Sequence, residues 1–186
     1  MSLTTLLVPT FTQLLNSLSG WLTKAEEQRP DAGALLSARL APDMFPLATQ
    51  IRFACAQAQE AVYRLRGQPF PETISVLLND GRGASERPGS ISDAQARIDE
   101  TLALLGELPI DALDGNPDTL IAHDLPNGMI FDLTEEQYAR DWVLAQFYFH
   151  VMIAYAILRR EGVALGKADY IQHLLPFLRP GSLPDS

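Results

Sequence analysis

Two polar side chains, Gln146 and His150, interrupt an otherwise apolar stretch of the chain. The stretch runs from Trp142 to Leu158 and reads WVLAQFYFHVMIAYAIL. Residues four positions apart on a helix project from the same face, so the carboxamide and the imidazole point into whatever this helix packs against. Such a pair either completes its hydrogen bonds within the core or lines a pocket that binds a ligand. These two residues are therefore the leading candidates for a functional site.

The helix that carries this pair is expected to lie in the middle of the protein, because it is apolar on nearly every side. Its length is at the short limit for crossing a bilayer, it stands alone in the chain, and its centre holds an imidazole and a carboxamide. We therefore expect a buried core helix rather than a membrane span, and no association with membranes.

Composition predicts one globular domain over residues 1–186, since 47% of the residues are hydrophobic and 20% are charged. The formal net charge of -9 would repel phosphate backbones, which argues against nucleic acid as a partner. The single cysteine, Cys55, excludes an internal disulfide and fits a reducing cytoplasm. The first residues lack the positive charges of a signal peptide, so we expect a cytoplasmic protein.

Apolar residues at helical spacing predict two long helices in the first third of the chain. The first follows Pro9 and ends before Pro30, because the residue before a proline avoids helical angles. The second is predicted to open at Pro42 and Asp43, which supply a pre-set backbone angle and a charge that suits the helix dipole. It ends at Gly67, a C-terminal cap.

Two capping boxes predict two further helices. Ser92 with Gln95 opens a third helix that stops near Gly106. Thr134 with Gln137 opens a fourth, which carries the apolar stretch described above. The chain is therefore predicted to be all-α, with four long helices.

The connections between these helices are predicted to be less regular. Residues 68–91 contain several prolines and glycines and are expected to form a surface loop. Asn127-Gly128 between two apolar runs predicts a small β-hairpin before the last long helix. His123 falls in its first strand and is interpreted as a solvated histidine, because no second metal ligand lies at a fixed spacing. Residues 168–186 are expected to pack on the bundle or on a partner subunit.

Three segments carry a resemblance to a known family. They are LLSARLAPDMFPLATQIRFACAQA at residues 35–58, QARIDETLALL at 95–105 and FYFHVMIAYAILRREGVALGKADY at 147–170. The chain resembles the bacterial domain-of-unknown-function family nineteen-ninety-three, a branch of the DinB-like and YfiT-like superfamily. The resemblance implies a DinB-like four-helix bundle with up-down-down-up connectivity, commonly assembled as a homodimer.

The same resemblance implies a metal site that this chain has largely lost. Metal-binding relatives hold a divalent ion with one histidine on the second helix and two on the last. His150 matches one of these positions, whereas Gln146 and Gln50 stand at the other two. Zinc and nickel bind imidazole well, but a carboxamide oxygen is a weak ligand for them. We therefore expect no stable metal centre, although zinc or nickel binding stays open.

The substituted site is expected to form a polar pocket in the bundle, with Gln50, Gln146 and His150 at its centre. Arg39, Asp43 and Tyr155 are candidates to supply hydrogen bonds or to line its mouth. Structural alternatives stay open for each: His150 satisfied by Gln146 or by a backbone carbonyl, Arg39 and Asp43 as an ion pair at a helix start, Tyr155 as a packing residue.

Three functions remain in competition at the level of sequence. The first is a DinB-like bundle that binds an unknown small molecule in its polar core, or merely stabilises a dimer. The second is a metal-dependent enzyme of the thiol transferase, isomerase or hydrolase type, which rests on analogy between folds. The third is a regulatory partner of another protein. No local nucleophile, phosphate loop or nucleotide motif separates them.

Overall fold

The structure, a computed structural model, describes residues 2–116 and 118–181. We number its main elements in chain order, treating the last long helix as one element. They are α1 Leu3–Gln28, α2 Leu47–Leu65, α3 Glu72–Arg82, α4 Ile91–Gly106, β1 Leu120–Asp124, β2 Ile130–Thr134, α5 Glu135–Arg160 and α6 Lys167–Tyr170. Short 3₁₀ turns occupy Ala32–Ser37, Gly83–Ser85 and Gln172–Phe177.

Helices α1, α2, α4 and α5 form the bundle, in which α1 and α2 each pack against both α4 and α5. Ring contacts of Phe11 with Phe147 and of Trp21 with Tyr155 show that α1 and α5 run in the same direction. A hydrogen bond from Gln95, at the start of α4, to Thr23, near the end of α1, shows that α4 runs the opposite way.

Helix α2 runs antiparallel to α5 and parallel to α4. Gln50 near its start contacts His150 late in α5. Arg64 at its end bonds to Ala122 of the hairpin that precedes α5. The four bundle helices therefore have up-down-down-up connectivity, which confirms the predicted fold class.

The core lies along the contacts of α5 with α1 and α2, where Phe11, Ile51, Val62, Phe147 and Val151 are completely buried. Each such side chain stabilises the fold by about 1.5–3 kcal/mol relative to exposure. Helix α5 is also long and apolar enough to cross a membrane by length and composition alone, with a mean hydropathy of 1.3 over its best window. Core helices of bundles meet the same criterion. The buried contacts of α5 with α1 and α2 identify it as a core helix of this bundle.

Helices α1 and α2 begin at residues other than those predicted. Helix α1 starts at Leu3, where the Ser2 side chain accepts a hydrogen bond from the Thr5 N–H. Pro9 lies inside this helix on its exposed face, where water can satisfy the carbonyl that a proline leaves unbonded. Helix α2 starts only at Leu47, because Pro46 forces the preceding residue away from helical angles.

The predicted loop over residues 68–91 is wrong, because it contains helix α3 and the short 3₁₀ turn that follows it. The apolar residues Ile74, Leu77, Leu78 and Gly81 follow helical spacing and face α2. The sequence contains this helical spacing, but the surrounding prolines and glycines favour the prediction of a loop. The helix is anchored to α2 by the Thr49 hydroxyl, which donates to the Gly81 carbonyl at 2.7 Å.

The remaining elements lie close to their predicted positions. Helix α4 is capped by Ser90 with Asp93 rather than by Ser92 with Gln95, and it ends at Gly106 as predicted. The hairpin is confirmed, with β1 and β2 antiparallel. The capping box of Thr134 at the start of α5 is confirmed as well.

The C-terminal segment packs on α1 through helix α6. Asp169 forms an ion pair with Lys24, and the Trp21 indole donates to the Asp169 carbonyl at 3.3 Å. Tyr170 stacks on Trp21. The part of the predicted extension over residues 182–186 lies outside the described residues.

Replacing Thr49 by Val should destabilise the protein by about 1–3 kcal/mol, because the buried Gly81 carbonyl would lose its side-chain donor at nearly constant shape. Chemical denaturation measures the change. The control is Thr10→Val, because within the described residues its hydroxyl bonds to the Leu6 carbonyl of its own helix and to no other element, so its loss should change stability by at most about 0.5 kcal/mol. Equal effects of the two changes would contradict the anchoring role of Thr49.

Candidate ligand-binding cleft

An open cleft of about 600 Å³ lies between α2, α3, the hairpin and α5, and we call it the α2–α5 cleft. This volume is typical of sites that bind small molecules. Its aromatic lining consists of Phe45, Phe53, Phe70, Trp142 and Phe149. Its polar lining consists of Gln57, Glu60, Arg64, Arg82, His123, Asp124, Gln146 and His150.

Two helical stripes build opposite walls of the cleft. On α2, Phe53 is followed by polar residues at positions 57, 60 and 64, a spacing that keeps all four on one face. On α5, Trp142 is followed on the same face by Gln146, Phe149 and His150. Because the two helices are antiparallel, His150 lies toward the start of α2, and Trp142 lies toward the hairpin.

His150 is held by Gln50, whose side-chain oxygen lies 2.9 Å from the histidine Nδ1. The Gln50 amide nitrogen donates to the Phe45 carbonyl at 3.2 Å, which fixes the orientation of the carboxamide. A carboxamide oxygen can only accept, so this network assigns the proton of the neutral ring to Nδ1. The Nε2 atom is then an unprotonated acceptor.

The imidazole of His150 is kept neutral by its surroundings. Burial lowers the pKa of His150 from 6.5 to about 4. The rings of Phe53 and Phe149 lie edge-on to it, with centroids 5.3 and 5.4 Å away, and they cannot solvate an imidazolium edge as water would. His150 therefore contributes a neutral acceptor at pH 7.

His123 lies in the wall at the hairpin end, and the prediction that it is solvated is wrong. It is only 4% exposed, between the rings of Trp142 at 4.2 Å and Tyr138 at 5.5 Å. Strand β1 alternates, so His123 faces inward with Ile121, a pattern that the sequence could have revealed. Burial, and then the charge of Arg64, lower the pKa of His123.

Several buried polar atoms of this wall have no hydrogen-bond partner among the described residues. They are both ring nitrogens of His123, the indole nitrogen of Trp142 and the Nε of Arg64. Buried polar groups are nearly always satisfied in folded proteins, so a cluster of unsatisfied ones beside a cleft is a feature that calls for an external partner.

Glu60 and Arg64 bring charge into the cleft. Arg64 donates to the Ala122 carbonyl at 2.9 Å, lies 3.5 Å from Asp124 and stacks over Phe70. Burial raises the pKa of Glu60, an effect that Arg64 and Arg82 partly oppose. Sequence reasoning missed Glu60 and Arg64, since each is an ordinary charged residue on a helix until the fold places it in the cleft.

Of the residues predicted to form a pocket, Gln146 and His150 line the α2–α5 cleft, and Gln50 is buried behind His150 as its hydrogen-bond partner. The other three lie elsewhere. Arg39 donates to the Met44 carbonyl and the Ser85 hydroxyl in an irregular segment before α2. Asp43 is exposed in that segment, so the two residues do not share a helix start. Tyr155 packs against Trp21, away from His150.

The residues at the three implied metal-ligand positions do not fit a divalent ion. Both amide atoms of Gln50 are already engaged, one by His150 and the other by Phe45. Over residues 2–116 and 118–181, no group of three histidine, cysteine, aspartate or glutamate side chains is arranged to hold a metal. The three positions thus provide one imidazole, and that imidazole is hydrogen-bonded to Gln50.

In the folded protein, His150 should stay neutral with its proton on Nδ1 from pH 7 down to about pH 5, because its pKa is lowered to about 4. Nitrogen-15 NMR of the imidazole rings, assigned with His150→Phe, measures both properties. Since the unfolded histidine takes up a proton at higher pH, this residue should stabilise the fold above pH 6.5 and less so as pH falls toward 4. A titration midpoint near 6.5 would contradict the assignment.

Comparison with known proteins agrees with the architecture. Residues 3–171 match the model of the family described as domain of unknown function DUF1993. A solved structure of a DinB family member from Shewanella denitrificans superimposes with a TM-score of 0.74 and 28% identity, covering 98% of this chain and 96% of that one. Among curated proteins, no sequence matches the chain. With a family match across nearly its whole length and a DinB-like bundle as its fold, the chain belongs to the DUF1993 family.

Proposed function

We propose that the α2–α5 cleft binds a small organic molecule without a resident metal ion. The observation that carries this proposal is the cluster of unsatisfied buried nitrogens of His123, Trp142 and Arg64 beside a cleft of about 600 Å³. Each such atom costs roughly 1–3 kcal/mol when it is left unpaired. A ligand that supplies the missing partners offsets this cost, and so gains affinity from the site.

The shape and chemistry of the cleft support the same proposal. Aromatic walls bury apolar surface, while a few polar groups at the two ends can orient a ligand. The His150–Gln50 hydrogen bond fixes one of these groups in advance, which lowers the entropy that binding must overcome. Gln50, by contrast, is oriented toward His150 and the Phe45 carbonyl rather than toward a position where a metal ion could bind.

A metal-dependent enzyme of the thiol transferase, isomerase or hydrolase type is the alternative. It rests on analogy between folds, and the same fold hosts many unrelated functions. The unprotonated Nε2 of His150 is the one group here that matches a metal ligand of the superfamily. The homodimer implied by the resemblance stays a prediction, and the exposed Tyr148 and Met152 of α5 are a surface that would serve it. A solution mass tests it.

Ligand binding should be detectable through the indole N–H of Trp142, observed by NMR while a library of small metabolites is screened. Compounds that bind the cleft should shift this signal. Leu78 also lines the cleft, so the shift should disappear in Leu78→Phe, whose larger side chain fills part of the cleft volume. Val76→Phe is the matched control, because Val76 is exposed on the same helix and lies outside this cleft. If no compound binds, or if filling the cleft has no effect, the proposed function is wrong.

Protein purified without a histidine tag or chelator should contain no stoichiometric zinc or nickel after dialysis. The reason is that two neutral carboxamides stand where imidazoles would be needed. Elemental analysis, with nickel and zinc then titrated into wild type and His150→Ala, makes the test. About one metal per chain, lost in the variant, would favour the enzyme instead.

A further inference from the structure

The charged groups of the α2–α5 cleft are satisfied to different degrees. Arg64 bonds to the Ala122 carbonyl and faces Asp124, while Arg82 donates to the Asn79 side chain at 3.3 Å. Glu60, by contrast, receives one long hydrogen bond within the described part of the chain, from Gln57 at 3.4 Å. Among these three side chains, the carboxylate of Glu60 is therefore the one held most weakly by the protein.

The surroundings of Glu60 favour a positive partner over a negative one. Aromatic rings line the cleft, and the guanidinium of Arg64 already lies over the face of one of them, Phe70, because ring faces carry partial negative charge and attract cations. His150 is neutral and adds an acceptor at Nε2. The unpaired donors of His123 and Trp142 are uncharged at neutral pH, so they suit an oxygen of the ligand rather than its charge.

We infer that the α2–α5 cleft binds an organic amine, with its ammonium group on Glu60 and its apolar body among the rings of Phe53, Trp142 and Phe149. This inference rests on the proposed ligand-binding function and names the class of ligand. A carboxylate ligand would instead have to compete with Asp124 for Arg64 and would lie close to Glu60.

Two electrostatic features support the inference. Burial raises the pKa of Glu60, so its charge is poorly solvated in the cleft and gains from an ammonium partner. The net charge of -9 also favours the approach of cations over anions. The charged groups that act on Glu60 are Arg64, Arg82 and Asp124, and its own charge acts on Tyr138. None of these replaces a direct partner.

Three probes of matched shape test the class of ligand: 2-phenylethylamine, 2-phenylethanol and 3-phenylpropanoate. NMR titration of the Trp142 indole signal should show the amine binding at least about tenfold more tightly than the other two. Glu60→Gln should remove this preference by lowering the affinity for the amine to about that for the alcohol. Glu26→Gln is the control, because it removes the same charge at an exposed position of α1.

The pH dependence offers a test that needs no variant. Amine affinity should fall as pH is lowered through the raised pKa of Glu60, whereas affinity for the alcohol should change little. Tight binding of the propanoate in place of the amine, or an amine preference that survives in Glu60→Gln, would overturn the amine inference and leave cleft binding intact. Failure of all three probes would overturn the amine inference, while the proposed function would fall only if the metabolite library also gave no shift.

Discussion

The packing of α2 against α5 is the constraint on which the rest of the structure depends. Helix α5 is apolar on nearly every side, so it has to be covered on more than one face. Phe147, Val151 and Ala154 are buried in the bundle core, whereas Gln146 and His150 face the cleft beside α2. The same helix thus supplies the core and one wall of the cleft.

This arrangement explains why polar side chains are tolerated at the centre of an apolar helix. Gln50 satisfies the Nδ1 of His150, and the backbone carbonyl of Phe45 satisfies Gln50 in turn. A chain of satisfied groups removes the cost of burying them. At the hairpin end the opposite holds, because the nitrogens of His123 and Trp142 are buried without partners. The two ends of the cleft therefore differ: the buried polar groups at one end are satisfied by the protein, and those at the other have no partner among the described residues.

Gln50, which the family resemblance aligns with a metal-ligand position, has a clear physical role in this structure. Gln50 orients His150 by accepting a hydrogen bond from its Nδ1, as carboxylates and carbonyls do for metal-bound histidines. The imidazole keeps a defined tautomer without an ion. Charge in the cleft is supplied by Glu60 and Arg64, which lie further along α2 on the same face.

The four bundle helices, the hairpin and the juxtaposition of Gln50 with His150 could be predicted from the sequence and from its resemblance to a family. Helical spacing, the Asn-Gly turn and the capping box at Thr134 are local signals, so they can be recognised without knowledge of the fold. Helix α3 was missed because its short apolar stripe competes with nearby prolines and glycines, which local rules weigh more heavily.

The sequence by itself determined the long helices and the polar pair on α5, since both follow from the spacing of side chains along the chain, and its resemblance to a family implied the type of bundle. Only the tertiary structure decided that His123 is buried and that Glu60 and Arg64 line a cleft, while Arg39, Asp43 and Tyr155 do not. The reason is that these properties depend on contacts between residues far apart in the chain, such as Arg64 with Ala122, and no local pattern specifies such contacts.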